Sequence, residues 1–222
     1  MIVTSVFVIT GANGGLGVSL AREAHQRGFQ IEAVSRSPRS HELPDEVEFT
    51  QMDCAVQDEA SAYWENLAQK YAASQDIVLF NNAGKYLNKP FTATEMAEIE
   101  QAFQANFFSS VYMSKGFASH FNSGTIINLN SYAGLHPKAD LSVYGAAKAA
   151  QAYLYAALRE ELPSGAFRIM NLYPQRINTW SEEREADTID KTEAAQWIID
   201  MALLRGSFEI TDCTLVPFGE TP

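Results

Sequence analysis

The sequence predicts an α/β fold in which helices flank a doubly wound parallel sheet of about seven strands, within one domain spanning residues 1–222. Short apolar runs such as VFVIT, DIVLF and TIINLN suit strands that are buried on both faces of a sheet. Longer helical patterns alternate with these runs, as expected where crossover helices join parallel strands. A glycine-rich turn also follows the first strand directly and opens the first helix.

The β-rich apolar runs predict strands, in chain order, near 2–9, 30–35, 46–51, 76–81, 124–130, 166–173 and 211–216. The helical patterns between them predict helices over 15–28, 57–73, 92–121, 142–162 and 191–204. The connection between the second and third strands, SPRSHELPDEV, contains Pro38 and Pro44, which leave little room for a regular helix. A loop or a single turn is predicted there. No repeat or linker-like break divides the chain.

Composition excludes several classes of partner. With 27 acidic and 16 basic residues the formal net charge is −11, which argues against nucleic acid or an anionic membrane as partner. No segment approaches the ~18 apolar residues of a membrane span. The N-terminal MIVTSVFVIT lacks a basic leader and a cleavage site, so we expect a cytoplasmic protein. Cys54 and Cys213 form no CxxC or metal-type pattern, so they are expected to be reduced packing residues, and no metal site is predicted.

The glycine-rich turn TGANGGLG has the composition of a phosphate-binding loop. Gly11, Gly15 and Gly17 allow tight turning, close approach of the backbone to a pyrophosphate, and close packing of helix on sheet. The N-terminus of the following helix offers free N–H groups to phosphates. Such a turn is weak evidence alone, but its place between a strand and a helix favours a nucleotide as ligand.

The spacing TGxxxGxG differs from the common GxGxxG and resembles that of the short-chain dehydrogenase/reductase family. Further motifs follow in that family's order, and the resemblance runs from residue 4 to about 216. They are Asp53 in QMDCA, NNAG at 81–84, Asn106 in QANFFSS, Ser131 in INLNSYAG, Tyr144 and Lys148 as YxxxK, and Thr179 in YPQRINT. The resemblance implies a Rossmann-type fold and an NAD(P)-dependent oxidoreductase that reduces a small carbonyl compound to an alcohol, or the reverse.

The resemblance also assigns roles to residues. It implies four catalytic residues, Asn106, Ser131, Tyr144 and Lys148. The cofactor-binding residues that it implies, together with those flanking its motifs, are Gly11, Asn13, Gly14, Gly15, Leu16, Gly17, Ser35, Arg36, Asp53, Cys54, Asn82, Ala83, Gly84, Tyr144, Lys148, Pro174, Ile177 and Thr179.

A tyrosine and a lysine four residues apart on a helix can meet, and carbonyl reduction needs an acid. A free tyrosine titrates near 10 and is a usable acid but a poor base. A nearby ammonium and an oxidised nicotinamide both favour the phenolate, so the pKa of Tyr144 is expected to fall towards the working range. Ser131 would orient the substrate oxygen and, by resemblance, Asn106 would hold a water that relays protons to Lys148. Without that resemblance, Ser131 and Asn106 could simply satisfy backbone groups.

The cofactor predicted is NADP(H), with NAD(H) as the alternative. In NAD-using relatives the second strand ends in an acidic residue that binds both ribose hydroxyls. That position is Ser35 here, followed by Arg36, and a hydroxyl with a guanidinium can bind a 2′-phosphate. Gly14 weakens this prediction, because phosphate-binding relatives often carry a basic residue there.

The substrate is not identified by the sequence. The cleft candidates are Tyr86, Leu87, Tyr132, Leu135, His136, Asp140, Leu141, Trp180 and Arg184. Where the family has proline–glycine after the sixth strand, this chain has Pro174–Gln175, so the side chain at 175 could face the cofactor or the cleft. The segment WSEEREADTID after Thr179 is short and charged, which predicts an open cleft or a lid that orders on binding.

Two other functions fit parts of this pattern. A cofactor-binding sensor or scaffold protein would keep the fold without catalysis, although such proteins usually lose the tyrosine or lysine. An epimerase or dehydratase acting on nucleotide sugars would typically have a longer chain. The resemblance also implies a homodimer or homotetramer that pairs helices 92–121 and 142–162 across a two-fold axis.

Overall fold

The computed structural model describes residues 5–71, 76–163, 165–181, 183 and 185–219. Seven parallel strands form one sheet in the order β3-β2-β1-β4-β5-β6-β9. They are β1 (Val6–Thr10), β2 (Gln30–Ser35), β3 (Glu48–Gln51), β4 (Ile77–Asn81), β5 (Gly124–Leu129), β6 (Phe167–Pro174) and β9 (Asp212–Leu215). The predicted fold class is therefore confirmed, and each strand lies within about two residues of its prediction where both are described.

Helices cover both faces of this sheet. They are α1 (Gly15–Gln26), α2 (Gln57–Lys70), α3 (Met96–Phe103), α4 (Ser109–His120), α5 (Ser142–Glu161) and α6 (Lys191–Leu203). Because side chains alternate along a strand, Phe7 and Ile9 of β1 join the core beneath α1 and α6. Val6 and Val8 join the core beneath α2 and α4. Burial of β1 on both faces explains why VFVIT is apolar throughout.

The chain reverses direction across the sheet at β1. It passes from β1 to β2 and β3 on one side, then crosses back to β4 on the other side of β1. The carboxyl ends of β1 and β4 therefore open into a crevice, which is where open α/β sheets bind ligands. The sequence places the glycine-rich turn and the NNAG segment at these two strand ends.

Two local features refine the predictions. The segment predicted as a helix over 92–121 consists of α3 and α4, joined through a π-helical turn at Gln104–Phe108. The connection at 36–47 contains turns and no helix, as its prolines predict. Residues 2–4 of the first predicted strand and 72–73 of the second predicted helix lie outside the described residues.

One small element is missing from the predictions. Two strands of two residues each, β7 (Ile177–Asn178) and β8 (Ile189–Asp190), pair in parallel beyond the end of β6. Their length is too short to leave an alternating pattern in the sequence. The segment between them is the one that the sequence marks as brief and charged.

Cys54 and Cys213 are both free thiols, and Cys54 is buried, in keeping with the packing role expected for it. None of the helices in the described part of the chain has the length and apolar character needed to cross a membrane.

Candidate active site

A cavity of about 480 Å³ fills the crevice at the carboxyl ends of β1, β2 and β4. Fourteen of the predicted cofactor-binding residues line it, namely Gly11, Asn13, Gly14, Gly15, Leu16, Gly17, Ser35, Arg36, Asp53, Cys54, Asn82, Ala83, Gly84 and Thr179. The predicted cofactor-binding motifs, which lie far apart in the sequence, thus line one cavity. Sequence reasoning missed five further lining residues, Ser37, Met52, Lys85, Ala105 and Ser109, all of which lie within a few residues of a predicted site residue.

The glycine-rich turn depends on two glycines for different reasons. Gly11 has a φ of +65°, and a Cβ there would lie 2.8 Å from the Cα of Ala83. A Cβ on Gly17 would lie 2.3 Å from the carbonyl oxygen of Gly11. A side chain at either position would push the turn away from β4 or from α1, so the shape of the cavity requires both glycines.

Two asparagines hold the turn from either side. The Asn82 amide donates hydrogen bonds to the carbonyl oxygens of Thr10, at 3.0 Å, and Gly11, at 3.2 Å. The Asn13 amide donates to Ser37 Oγ, at 2.9 Å, and to the Pro38 carbonyl, at 2.6 Å. Asn82 therefore fixes the turn to the end of β4, and Asn13 fixes it to the loop that follows β2.

The N-terminus of α1 is open to an anion. Its N-cap residue, Gly14, has no side chain to accept hydrogen bonds from the first turn, and the first turn contains no acidic residue. Backbone N–H groups at such an end carry partial positive charge and favour a bound anion. A glycine N-cap costs the helix little, and it leaves the N–H groups of the first turn free for acceptors that a ligand would supply.

The end of β2 combines a buried hydroxyl with an exposed cation. Ser35 is 8% exposed, and its Oγ lies 3.4 Å from that of Ser37. The Arg36 side chain is 76% exposed, with Nη1 3.7 Å from Asp53 Oδ2. A solvent-exposed pair at this distance contributes little to stability, so the guanidinium can turn to another acceptor at low cost.

Lys148 of α5 is buried, with only 4% of its surface exposed. Its Nζ donates a hydrogen bond to the Leu129 carbonyl at 2.9 Å, and it has no carboxylate partner among the described residues. Because burial penalises the charged ammonium, the pKa of Lys148 is lowered to about 7. The lysine is therefore poised to exchange a proton near neutral pH.

Tyr144 lies one helical turn before Lys148, whose Nζ is 6.0 Å from the centre of the phenol ring. Tyr86 packs edge-on against that ring, with centroids 5.2 Å apart. Burial raises the pKa of Tyr144, and the Ser131 hydroxyl, which lowers it, only partly offsets this effect. The expected fall in the pKa of Tyr144 is thus wrong for the protein alone, because desolvation by burial is the largest influence on that pKa.

Asn106 lies in the π-helical turn and is fully buried. Its amide donates to the carbonyl oxygens of Lys85, at 2.9 Å, and Ala102, at 2.8 Å, and its Oδ1 accepts from the Lys85 N–H at 3.1 Å. A Cβ on Gly84 would lie 2.7 Å from Asn106 Oδ1 and 3.9 Å from Lys148 Nζ. Asn106 therefore packs against the strand-end loop within reach of the buried lysine.

A second cavity, of about 270 Å³, lies beside Ser131. Four of the predicted cleft residues line it, Tyr86, Tyr132, His136 and Leu141. Leu135 instead lines a neighbouring surface groove, and Leu87, Asp140 and Trp180 line neither. Arg184 lies outside the described residues. The sequence left the direction of Gln175 open, and the structure places it on this second cavity together with Lys138 and Arg176, which sequence reasoning did not select.

Four of the predicted cofactor-binding residues do not line the crevice cavity. Tyr144 and Lys148 lie on α5, and Pro174 ends β6. Ile177 packs against the apolar core beneath α1 and α6. Within the described ranges, no three His, Cys, Asp or Glu side chains are grouped closely enough to hold a metal ion.

Comparisons with known proteins agree with this fold. A family model described as short chain dehydrogenase matches residues 5–190. The NADPH-dependent 1-acyldihydroxyacetone phosphate reductase of Schizosaccharomyces pombe is 29% identical over 85% of this chain, which spans only 64% of that relative. Serine dehydrogenase from Escherichia coli superposes with a TM-score of 0.85 at 24% identity, covering 98% of this chain and 100% of that one. An alcohol dehydrogenase from the archaeon Thermococcus sibiricus, complexed with 5-hydroxy-NADP, superposes with a TM-score of 0.86 at 18% identity, covering 99% of both chains.

The buried lysine leads to a prediction about pH and stability. The unfolded chain keeps the Lys148 proton up to about pH 10.4, whereas the folded protein releases it near pH 7. The unfolded state therefore binds more protons between these values, and the free energy of unfolding should rise with pH there. The penalty is fully present below pH 7 and is relieved above it. Lys148→Met removes the charge, so its stability relative to the wild type should be greatest below pH 7 and should shrink by up to about 1.4 kcal/mol per pH unit above it.

Urea unfolding of both proteins at pH 6, 7, 8 and 9 measures this difference. Lys115→Met is the matched control, because Lys115 is exposed on α4 and should give no pH-dependent difference. A constant gap between wild type and Lys148→Met across this range would contradict the lowered pKa.

Proposed function

The chain belongs to the short-chain dehydrogenase family, and on this premise we propose that it is an NADP-dependent oxidoreductase that reduces a small carbonyl compound to an alcohol, or catalyses the reverse, with Tyr144 as acid and base. One observation carries the proposal. Ser131 lines the second cavity, Tyr144 packs against Tyr86 of the same cavity, and Lys148 Nζ lies 3.9 Å from the Cβ position of Gly84, which lines the cavity built on the glycine-rich turn. A reaction that joins a dinucleotide and a small substrate needs such a pair of adjoining spaces.

The residues of the crevice fit a dinucleotide. The uncapped N-terminus of α1 offers N–H groups to a pyrophosphate, and Gly11 and Gly17 let the backbone approach it closely. The Asp53 carboxylate, on the wall beyond β3, can accept hydrogen bonds from an adenine. Thr179 lies opposite Gly15, where its hydroxyl can meet the carboxamide of a nicotinamide.

Carbonyl reduction adds a hydride to carbon and a proton to oxygen. The nicotinamide supplies the hydride when it is bound. The raised pKa of Tyr144 keeps its hydroxyl protonated at neutral pH, so it can donate that proton to the substrate oxygen. The Ser131 hydroxyl donates a second hydrogen bond to the same oxygen and fixes its position.

Proton donation leaves a phenolate, which must be reprotonated. Lys148, with its pKa lowered to about 7, can hold or release a proton at neutral pH, and its charged form stabilises the neighbouring phenolate. Asn106 lies beyond Lys148 and can orient a water that carries protons from solvent. In the oxidative direction the same groups act in reverse, and Tyr144 then needs the positive charge of the oxidised cofactor to lose its proton.

The preference for NADP(H) rests on the end of β2. No carboxylate occupies the position that would repel a 2′-phosphate, and the weakly paired Arg36 can bind one through a charge-assisted contact. The name of the fission yeast relative states NADPH dependence, and the Thermococcus structure holds an NADP derivative. The buried Ser35 hydroxyl supplies a further donor at this position.

A sensor or scaffold protein that binds the cofactor without turnover is the alternative. The matched relatives, which are named as reductases and dehydrogenases, do not favour it. The two functions differ in one measurable outcome, since only the enzyme oxidises NADPH when a carbonyl compound is added.

Assembly into a homodimer or homotetramer is part of the proposal. Helix α5 exposes the small residues Ala146 and Ala149, which line an apolar surface groove with Leu135. Tyr153 on the same helix is 81% exposed. Small residues beside an aromatic side chain suit close contact between helices.

The first prediction concerns the acid. Tyr144→Phe should lower kcat at least ~100-fold, because a lost general acid usually costs ~10²-fold or more, and should leave NADPH affinity within a few-fold. Tyr153→Phe, on the same helix but exposed, is the matched control and should keep full activity. NADPH oxidation with a panel of ketones measures the rate, and quenching of protein fluorescence measures affinity. A Tyr144→Phe rate above about a tenth of wild type would sink the assignment.

The second prediction concerns the cofactor. Hydrogen bonds to charged groups contribute ~1.5–3 kcal/mol, so Arg36→Ala should raise the Kd for NADPH at least tenfold and leave that for NADH nearly unchanged. Lys115→Ala, which removes an exposed cation elsewhere, should change neither. Equal effects on the two cofactors, or a wild-type preference for NADH, would overturn the choice of NADP(H) and leave the reductase proposal standing.

The third prediction concerns assembly. Light scattering at micromolar concentration should give a mass two or four times that of the 24.5 kDa chain. Ala149→Arg, which places a long charged side chain on the exposed face of α5, should shift the mass to that of one chain, whereas Gln26→Arg on the exposed face of α1, outside both paired helices, should not. A wild-type mass equal to one chain would reject the oligomer.

A further inference from the structure

We propose that the substrate carries an anionic group, a carboxylate or a phosphate ester, which Arg176 and Lys138 bind in the cavity beside Ser131. This inference rests on the proposed function, because it names the class of carbonyl compound on which the same site would act.

Unpaired cations are rare in this acidic protein. Among the lysine and arginine side chains in the described part of the chain, only Lys115, Lys138 and Arg176 make no hydrogen bond or ion pair. The sequence has 27 acidic residues against 16 basic ones, so most cations find a carboxylate or a carbonyl oxygen. Lys115 lies on α4, whereas Lys138 and Arg176 line the same cavity.

The two cations converge from separate segments of the chain. Lys138 follows the turn after Ser131, and Arg176 follows the end of β6. None of the side chains described as lining this cavity is an aspartate or glutamate. The cavity wall therefore carries positive charge with no counter-charge of its own, an arrangement that favours an anionic ligand.

Other polar groups of the wall also lack protein partners. Gln175 lines the cavity beside Arg176, and its Oε1 is buried without a hydrogen-bond partner among the described residues. A buried polar group without a partner is costly, so a ligand group that bonds to the amide would relieve it. His136, stacked on Tyr132 with ring centres 4.2 Å apart, adds an imidazole to the same wall.

The position of Ser131 connects this charge to the reaction. Ser131 and Tyr86 line the cavity, and Tyr86 packs against the ring of Tyr144. A carbonyl oxygen held by Ser131 and Tyr144 leaves the rest of the substrate in the space that Lys138 and Arg176 border. The cavity of about 270 Å³ leaves room there for a small substrate.

Arginine gives this site its selectivity. A guanidinium presents parallel N–H donors that match the two oxygens of a carboxylate or phosphate, and lysine adds a second charge. A neutral analogue of the same shape would not form these charge-assisted hydrogen bonds. Lys138 and Arg176 would then stay without an ion-pair partner. The substrate preference should therefore depend on charge more than on size.

The test measures binding separately from ketone reduction, because the oxidised cofactor has no hydride to transfer to the ketone. Calorimetry on the NADP⁺-saturated protein compares 3-oxobutanoate with its methyl ester, and dihydroxyacetone phosphate with dihydroxyacetone. At least one anion should bind tenfold or more tightly than its neutral partner, and the pair in which this occurs distinguishes a carboxylate from a phosphate. Arg176→Gln and Lys138→Gln should each lower that preference at least fivefold, whereas the matched control Lys115→Gln should leave it unchanged.

Equal binding of anion and neutral partner, no binding of any compound, or an equal loss in Lys115→Gln would overturn the inference. NADPH oxidation with the same compounds keeps this result distinct from the proposed function. Anions that bind without being reduced would support the binding site and contradict the reductase. Reduction of the neutral compounds in preference to the anions would support the reductase and contradict the anion-binding site.

Discussion

The hydrogen bonds that join the carboxyl ends of β1 and β4 are the constraint on which the rest of the site depends. Thr10 Oγ1 donates to the Phe80 carbonyl at 3.1 Å and accepts from the N–H groups of Asn82 and Ala83, both at 3.0 Å. The Asn82 side chain returns two bonds to the turn after β1. These contacts cross the point where the strand order reverses, where neighbouring connections leave in opposite directions and no helix covers the strand ends. They fix the floor of the crevice, and the glycine-rich turn can then approach β4 as closely as Gly11 permits.

Whereas these hydrogen bonds stabilise the fold, the burial of Lys148 costs free energy. The ammonium has one carbonyl partner and no counter-ion in the described part of the chain, so the protein lowers its pKa instead of stabilising its charge. The packing of α5 on the sheet, through Val143, Ala147 and Tyr155, holds the lysine in place despite this cost. A readily ionised lysine therefore lies one helical turn from a tyrosine that burial keeps protonated at neutral pH. Ionisable groups whose pKa values are shifted by burial are typical of functional sites.

The sequence predicts the sheet and most of the crevice because both depend on local patterns. Strands buried on two faces leave runs such as VFVIT, and the glycine-rich turn and NNAG lie at strand ends that any parallel sheet brings to one edge. The π-helical turn around Asn106 was not predicted, because a wider turn within a helix leaves no periodic signal in five residues. The pKa of Tyr144 was predicted to fall because spacing shows the neighbouring lysine and not the burial of both groups. Lys138 and Arg176 were overlooked for a related reason. Each is an ordinary surface residue in the sequence, and only the fold shows that they share a cavity and have no carboxylate partner.

The two cavities differ in the groups that could attract an anionic ligand. In the crevice, backbone N–H groups at the start of α1 would meet the phosphates of the proposed cofactor, with Arg36 as a cationic side chain on the wall. In the cavity beside Ser131, the side-chain cations Lys138 and Arg176 lie on the wall together with Leu141, the N-cap residue of α5. The net charge of −11 does not oppose an anionic substrate at this range, since salt screens charges beyond about 8 Å at physiological ionic strength. The charges within that distance dominate instead. Under the proposed function, the two unpaired cations and the tyrosine would then select the substrate, while the acidic residues elsewhere would have little effect on its binding.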